Sequence, residues 1–323
     1  MIDKHLVTIL LPAYNEEASM SRLETSMLEI ARTNDGYEWE FLMVNDGSRD
    51  NTLNYMQELH NRDSRFAYID LSRNYGKEVA MLAGFDYARG DAVIVMDADM
   101  QHPISVIPEM LKYWQEGYDD VFARRRSSNE GFFKKFSSKA YYRLLQRFTH
   151  LRIQKDAGDF RLLDRTCVDA LCHLRERERN TKALYSWIGF HKKEVQYDQL
   201  NRMEGSSKWS IMALVNLALT GITSYTTAPL RFATILGGLF SLAAFAYAAF
   251  TIVKTIIWGD PVAGYPTLVT IMLLLGGVQL LSLGIIGEYL GRVFNESKSR
   301  PVYFINSYNG SRPNYEKTAV SSS

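Results

Sequence analysis

The chain has 323 residues, with 37 basic against 36 acidic side chains, so it carries no charge excess with which to hold a nucleic-acid backbone. Its 2 cysteines, Cys167 and Cys172, form no CxxC pair and stand beside no histidine cluster; this argues against a disulfide framework or a zinc site and fits a reducing compartment. Hydrophobic residues make up an ordinary 46%, but nearly all the long apolar runs lie after Arg231. The opening stretch, MIDKHLVTILLPAYNEE, is not expected to be a signal peptide, because its short apolar run meets Pro and acids with no small-residue cleavage site.

Leu6–Leu11 is an apolar run of strand length, closed by Pro12. PAYNEE follows, then a helical pattern through Met20, Leu23, Met27 and Ile30, with Ser19 or Asn15 as the expected cap. A second strand, Glu38–Val44, ends in NDGS (Asn45–Ser48) before a helix around Thr52–His60. Phe66–Leu71 is a third strand. RNYGKE (Arg73–Glu78) leads into a helix through Val79, Leu82, Ala83 and Tyr87, which Gly90 ends. Ala92–Met96 is a fourth strand, all apolar, as expected of one buried on both faces. The order β-α-β-α-β-α-β predicts an α/β domain with a mainly parallel sheet and helices on both faces.

Every polar motif of this half falls at a strand's C-terminal end, where open α/β sheets bind ligands. Asp97 and Asp99, in VIVMDADMQ, point to one side of an extended chain. Two hard oxygen donors placed so can hold Mg²⁺ or Mn²⁺ against a diphosphate, although D-x-D by itself is also an ordinary turn. Asp46 can accept from a base or a ribose hydroxyl, or serve as an Asx-turn capping the next helix. Gly47 lets the chain turn close to a ligand. Lys77 and Arg73 can neutralise phosphate or stand as solvated charges. Neither GxGxxG after the first strand nor GxxxxGK[ST] is present, so a dinucleotide fold of that type and a P-loop are unsupported.

Further on, an apolar strand, Asp120–Ala123, runs into Arg124-Arg125-Arg126. Gly131–Leu151 is a basic amphipathic helix of the kind that lies on membrane surfaces, or an ordinary helix with snorkelling lysines. In DAGDFRLLDR, Asp159 is a turn aspartate or a site residue, and Asp164 is expected to pair with Arg161 or Arg165. Tyr185 and Trp187 belong to a core helix or strand. His191-Lys192-Lys193 reads as solvated charge before a last strand, Glu194–Tyr197.

In this order and spacing, PAYNEE, VNDGS, RNYGKEVAMLAGFDYARGD and DADMQHP resemble the inverting glycosyltransferases of family 2, with the GT-A fold. More narrowly they resemble the polyprenyl-phosphate glycosyltransferases, the group with dolichol-phosphate mannose synthase and bactoprenol glucosyltransferase. The resemblance implies that Pro12, Tyr14, Glu16 and Asp46 hold the nucleotide, and that Asp97, Asp99 and Gln101 hold Mg²⁺ or Mn²⁺ and the donor diphosphate. It implies Arg125, Lys134 and Ser138 at the lipid phosphate; relatives often have Arg at the position of Lys134, and lysine lacks the bidentate geometry. It puts a catalytic carboxylate at Asp159. The acceptor phosphate is already anionic, so Asp159 is expected to orient substrate, with proton abstraction the lesser role. NRMEGSSKWS resembles the family's R-x-x-G-x-S-K segment, bringing Arg202, Ser207 and Lys208 to a phosphate over a mobile Gly205 loop. The Q-x-x-R-W motif of processive members is absent, which favours transfer of a single sugar.

Phe232–Val253 and Tyr265–Gly287 are uncharged and long enough to cross a hydrocarbon core of about 30 Å. Arg231 before them and Arg292, Lys298 and Arg300 after them put both ends in the cytoplasm. The expected organisation is a cytoplasmic GT-A domain over 1–208, a juxtamembrane interfacial helix over 209–230, a transmembrane hairpin over 231–291 with spans at about 232–256 and 265–288, and a cytoplasmic tail over 292–323. The expected function is inverting transfer of one sugar from a nucleotide sugar, UDP-glucose or UDP-N-acetylhexosamine, to undecaprenyl phosphate at a bacterial inner membrane. A homo-oligomer, tetrameric by resemblance, is expected. Two rivals stay open: a GDP-mannose-dependent relative, and a non-catalytic membrane scaffold that keeps the fold.

Overall fold

The structure, a computed structural model, describes residues 4–126, 157–177, 179–197, 228–258 and 264–310. These belong to two compact units. The first carries β1 (Leu6–Ala13), α1 (Glu17–Thr33), β2 (Glu38–Asn45), α2 (Thr52–Arg62), β3 (Phe66–Leu71), α3 (Lys77–Tyr87) and β4 (Ala92–Val95). It continues with α4 (Ile107–Gln115), β5 (Asp120–Arg125), β6 (Ala157–Asp164), α5 (Arg165–His173), α6 (Thr181–Trp187), β7 (Lys192–Tyr197) and, from the far end of the chain, β8 (Ile305–Tyr308). The described strands form one sheet in the order β7-β5-β6-β4-β1-β2-β3-β8.

β1 to β4 pair in parallel, as their alternation with helices requires. The apolar strands are buried because helices cover both faces. α1, α2 and α4 close one face through Met20, Leu23, Met27, Ile30, Met56, Leu59, Ile107 and Met110. On the other face, α3, α5 and α6 do so through Ala80, Met81, Ala83, Phe85, Val168, Leu171 and Leu184. The GT-A-like, mainly parallel α/β architecture is therefore as expected.

Several local expectations are corrected. α1 starts at Glu17 with no side-chain cap; the Ser19 hydroxyl donates back to the Glu16 carbonyl and carboxylate. The Asn15 side chain instead accepts from the Arg49 amide, tying two loops of the cleft. α3 stops at Tyr87, and Gly90 has a different reason to be glycine: a Cβ there would lie 2.5 Å from the Thr8 backbone nitrogen. Asp164 pairs with neither arginine. It accepts from the Trp114 indole at 2.9 Å and caps α5 through the Thr166 amide at 2.9 Å. Arg165 donates to the carbonyls of Ala88 and Gly90.

Within DAGDFRLLDR, Ala157–Asp164 is strand β6, so Asp159 is not a turn aspartate, and the strand inserts antiparallel between β4 and β5. Val95 pairs with Arg161, so continuing that register by two residues sets Asp159 opposite Asp97. Arg161 itself is buried, 2.9 Å from the fully buried Asp120, with the Tyr185 ring 3.6 Å from its guanidinium carbon. The expected solvated run His191-Lys192-Lys193 also enters the fold. Lys192 opens β7, and its half-covered ammonium donates to the Tyr185 carbonyl and lies 3.5 Å from Asp120.

The second unit's described part is a pair of long helices, α7 (Ala228–Trp258, 31 residues) and α8 (Tyr265–Ser297, 33 residues), which pack on each other. At 1.5 Å per residue each is roughly 45 to 50 Å long. Leu239, Leu242, Phe250 and Ile257 of α7 and Met272, Leu280, Leu283 and Leu290 of α8 are exposed. Among the described residues no helix is long and apolar enough to cross a membrane, and many side chains of both helices lie outside that set. Glu288 and Arg292 pair at 2.9 Å, as expected of that i,i+4 spacing. The expected tail is no simple extension: α8 runs on to Ser297, and residues 305–308 join the first unit's sheet beside β3. The expected amphipathic helix at 131–151 and most of the juxtamembrane helix at 209–230 lie outside the described residues.

The Asp120–Arg161 pair yields a stability prediction. Removing one partner of a buried ion pair strands the other charge. Asp120→Ala is expected to lower stability by about 3–5 kcal/mol in chemical denaturation. The double variant Asp120→Leu/Arg161→Met should recover part of that loss.

Candidate active site

The C-terminal ends of β1, β2, β3 and β4 surround one cleft of about 400 Å³, lined by Pro12, Tyr14, Glu16, Asp46, Asn74, Gly76, Lys77, Asp97 and Asp99 among others. Of the expected donor residues, Pro12, Tyr14, Glu16, Asp46, Lys77, Asp97 and Asp99 are all brought here. Gln101 stands beside them and donates its side-chain amide to Asp99 at 2.7 Å. Tyr14 is 41% exposed, a ring free to meet a planar base.

Asp46 is buried, and its two oxygens accept from the amides of Tyr75 at 2.7 Å and Gly76 at 2.8 Å. It therefore caps no helix α2 but holds the β3–α3 loop, residues 72–76. Burial outweighs those two bonds and pushes its carboxyl up from the ordinary 3.8. Gly47, at φ +68, serves the same loop: a Cβ there would lie 2.6 Å from the carbonyl carbon of Arg73 and the nitrogen of Asn74. What comes close at Gly47 is thus the neighbouring backbone. Arg73 lies with its guanidinium carbon 4.5 Å from the Tyr75 ring centre.

Lys77, the first residue of α3, is the centre of the site. Its ammonium is 2.5 Å from Asp97 and 2.7 Å from Asp159. Burial alone would lower the lysine, but the two carboxylates win and raise it well above 10.5. Burial likewise works to raise Asp159, and is outweighed by Lys77, Lys182 and Arg161, so its carboxyl is held below 3.8. Asp159 is thus ionised at neutral pH and a weak proton acceptor. Its Oδ1 is buried and has no hydrogen-bond partner among the described residues. That open acceptor suits a substrate hydroxyl.

The sequence reading missed His102. It is buried, stacks on Phe160 with ring centres 4.7 Å apart, and its Nδ1 accepts from the Asp97 amide at 3.4 Å. Burial pushes its pKa below 6.5 against the pull of Asp97 and Asp99, which leaves a neutral ring to shape the DADMQ turn. In that turn Met100 takes φ +58, a left-handed conformation costing a non-glycine residue about 1–2 kcal/mol, and it folds Gln101 back onto Asp99. DADMQHP contains His102, but nothing in its spacing tells a ring acceptor from a surface histidine. Arg125 is exposed at the end of β5, beside Tyr197 in the register. Lys134, Ser138, Arg202 and Lys208 lie outside the described residues.

Among the described residues no three acidic, histidine or cysteine side chains converge as a formed metal site. The donor chemistry nevertheless fits a hard divalent ion. Glu16, Asp97 and Asp99 line one cleft as oxygen donors, and Asp99 and Asp97 help burial raise the Glu16 carboxyl above 4.5. That is excess negative charge which Lys77 alone does not balance.

Residues 8–172 match glycosyl transferase family 2, and residues 228–293 match the GtrB C-terminal hairpin. The chain belongs to glycosyltransferase family 2. It is 45% identical to a glycosyltransferase, sll0501, of Synechocystis sp., over 93% of this chain and 94% of the relative. It is 42% identical to the glycosyltransferase CsbB of Bacillus subtilis, over 94% and 92%. It is 40% identical to the bactoprenol glucosyl transferase of Shigella phage SfV, over 93% and 97%. This family 2 glycosyltransferase therefore combines a transferase domain with a hairpin module, and these relatives align with the chain along nearly their full length.

The charge arrangement around Lys77 predicts its importance. Lys77→Met leaves Asp97 and Asp159 facing each other with no cation between them. Sugar transfer should fall by about 100-fold or more, the scale for removing one electrostatic contact from such a site. A kcat close to that of the unaltered enzyme would show that the bridge is dispensable.

Proposed function

We propose that this family 2 enzyme transfers one hexose from a nucleotide sugar to a polyprenyl phosphate, with inversion, at the surface of a bacterial inner membrane. The carrying observation is the meeting of Asp97, Lys77 and Asp159 at the edge of a cleft sized for a nucleotide. The names of relatives such as bactoprenol glucosyl transferase support glucose as the sugar and a polyprenyl phosphate as the acceptor. UDP-glucose is the donor proposed, and undecaprenyl phosphate the acceptor.

On this reading the base lies against Tyr14 near Asp46, and the diphosphate reaches toward Asp97 and Asp99. Mg²⁺ or Mn²⁺ held by Asp97, Asp99 and Gln101 would supply charge stabilisation for the leaving diphosphate. Lys77 holds Asp97 and Asp159 side by side. Asp159 accepts from a sugar hydroxyl through its open Oδ1 and so fixes the anomeric carbon for attack. A phosphate oxygen of the lipid forms the new bond to that carbon as the bond to the nucleoside diphosphate breaks. The lipid phosphate is already an anion, so no group need remove a proton, in keeping with an Asp159 whose pKa is depressed.

The hairpin supports the membrane part of the reading. Its exposed apolar side chains have no partner in water, and burying them in lipid or between copies of the chain removes that cost. Both ends of the hairpin would face the cytoplasm, with the transferase domain there, and copies of the chain would assemble through it.

The reading is tested with purified full-length protein, Mg²⁺ or Mn²⁺, undecaprenyl phosphate and a panel of labelled nucleotide sugars. Labelled lipid is expected from UDP-glucose, with Asp97→Asn and Asp159→Asn each losing about 100-fold or more in kcat. Transfer from GDP-mannose alone would move the donor assignment. No lipid product from any donor would overturn the reading.

A further inference from the structure

Two of the loops that line the cleft, 45–48 and 72–76, are tied to a part of the chain that lies beyond the hairpin. Phe304 of the returning segment accepts at its carbonyl from the Ser72 amide at 2.9 Å. Two residues on, the Asn306 side chain donates to Asp70 Oδ2 at 3.1 Å. The other oxygen of Asp70 accepts from the Asn45 side chain at 2.7 Å, and the Asn45 oxygen accepts from the Ser48 amide at 3.1 Å. Asn45 and Asp70 are both buried. One relay of polar groups thus runs Asn306–Asp70–Asn45–Ser48, from β8 to the loop that carries Asp46. A second contact, Phe304 to Ser72, opens the loop that presents Asn74, Gly76 and Lys77 to the cleft.

The residues flanking β8 are anchored elsewhere. The Tyr303 hydroxyl donates to Asp86 on α3 at 2.6 Å, and the Asn309 side chain accepts from the Tyr68 amide at 2.7 Å. The β3–β8 ladder is irregular between Asp70 and Leu71, at the residue that joins the relay. β8 therefore does more than cover an edge strand: it supplies a donor to a buried carboxylate which also fixes the opposite loop.

We propose that Asn306, with the Phe304 carbonyl, is a positioning element for the nucleotide-binding edge, so that affinity for the nucleotide depends on chain that follows the hairpin. The inference rests on the proposed nucleotide-sugar reading of the cleft. Neither residue touches the cleft; both act through Asp70, Asn45 and Ser72.

The experiment uses the full chain in detergent, with UDP and GDP in Mg²⁺ as probes in calorimetric titration and with steady-state transfer assays. Asn306→Ala leaves one oxygen of a buried carboxylate without its donor. The better-binding nucleotide should lose about 5- to 10-fold in affinity. KM for the nucleotide sugar should rise by a similar factor while kcat and KM for the lipid stay within about 2-fold. Tyr303→Phe, which removes an anchor of the same returning segment away from the loops, should lower thermal stability and leave nucleotide affinity unchanged. If Asn306→Ala does not fold, deuterium exchange of the unaltered protein decides: saturating nucleotide should slow exchange at 305–308 as well as at 72–76. Two results overturn the inference alone: nucleotide affinity unchanged in Asn306→Ala, or protection at 72–76 with none at 305–308. If neither nucleotide binds the unaltered protein, the donor-site reading falls and takes the inference with it.

Discussion

The lysine at the start of α3 makes the catalytic edge tenable. Parallel strands deliver their C-terminal ends to one side of the sheet, and this chain places Asp46, Asp97, Asp99 and Glu16 there, with Asp159 added by β6. Burial and gathered like charges both favour neutral carboxyls; at Glu16 burial leads, and Asp99 and Asp97 add to it. Lys77 reverses this for Asp159: it and its neighbouring cations outweigh the burial of that carboxyl, which stays ionised, while Asp97 and Asp159 together outweigh the burial of the lysine. On the proposed reading, a site that orients a sugar through Asp159 needs that charge in place before substrate arrives.

The placement of Lys77 depends in turn on loop 72–76. That loop is fixed from within by Asp46, which takes the amides of Tyr75 and Gly76, and by the missing side chain of Gly47. It is fixed at its start by the C-terminal segment through Phe304. Asp46 has spent its two oxygens on backbone in this structure, so any base it recognises must share them or approach beside them. On the proposed reading the same residue serves nucleotide and scaffold at once.

The two units meet different physical demands. The first buries its apolar residues in two helix-covered sheet faces. The second leaves many of its large apolar side chains exposed along two long helices. On the proposed reading the two units divide the work, the first meeting a water-soluble donor and the second a lipid surface.

What could be read from the residues alone was local. Apolar runs of strand length located β1 to β4, and apolar residues at helical spacing located α1 and α3, because burial of each element depends on its own sequence. The ordered polar motifs marked the cleft, because loops at strand ends carry their own chemistry. What only the tertiary structure decided was long-range. β6 runs antiparallel between β4 and β5, and that register, with no signal in DAGDFRLLDR, turns Asp159 from a candidate turn residue into the partner of Lys77 and Asp97. Arg161 met Asp120, and Asp164 met Trp114, for the same reason: charge pairing is chosen by neighbours in space. The last segment looked like a polar tail because its four-residue strand has no apolar period of its own; it is held by pairing with β3, and a free sheet edge exists only once the sheet has formed.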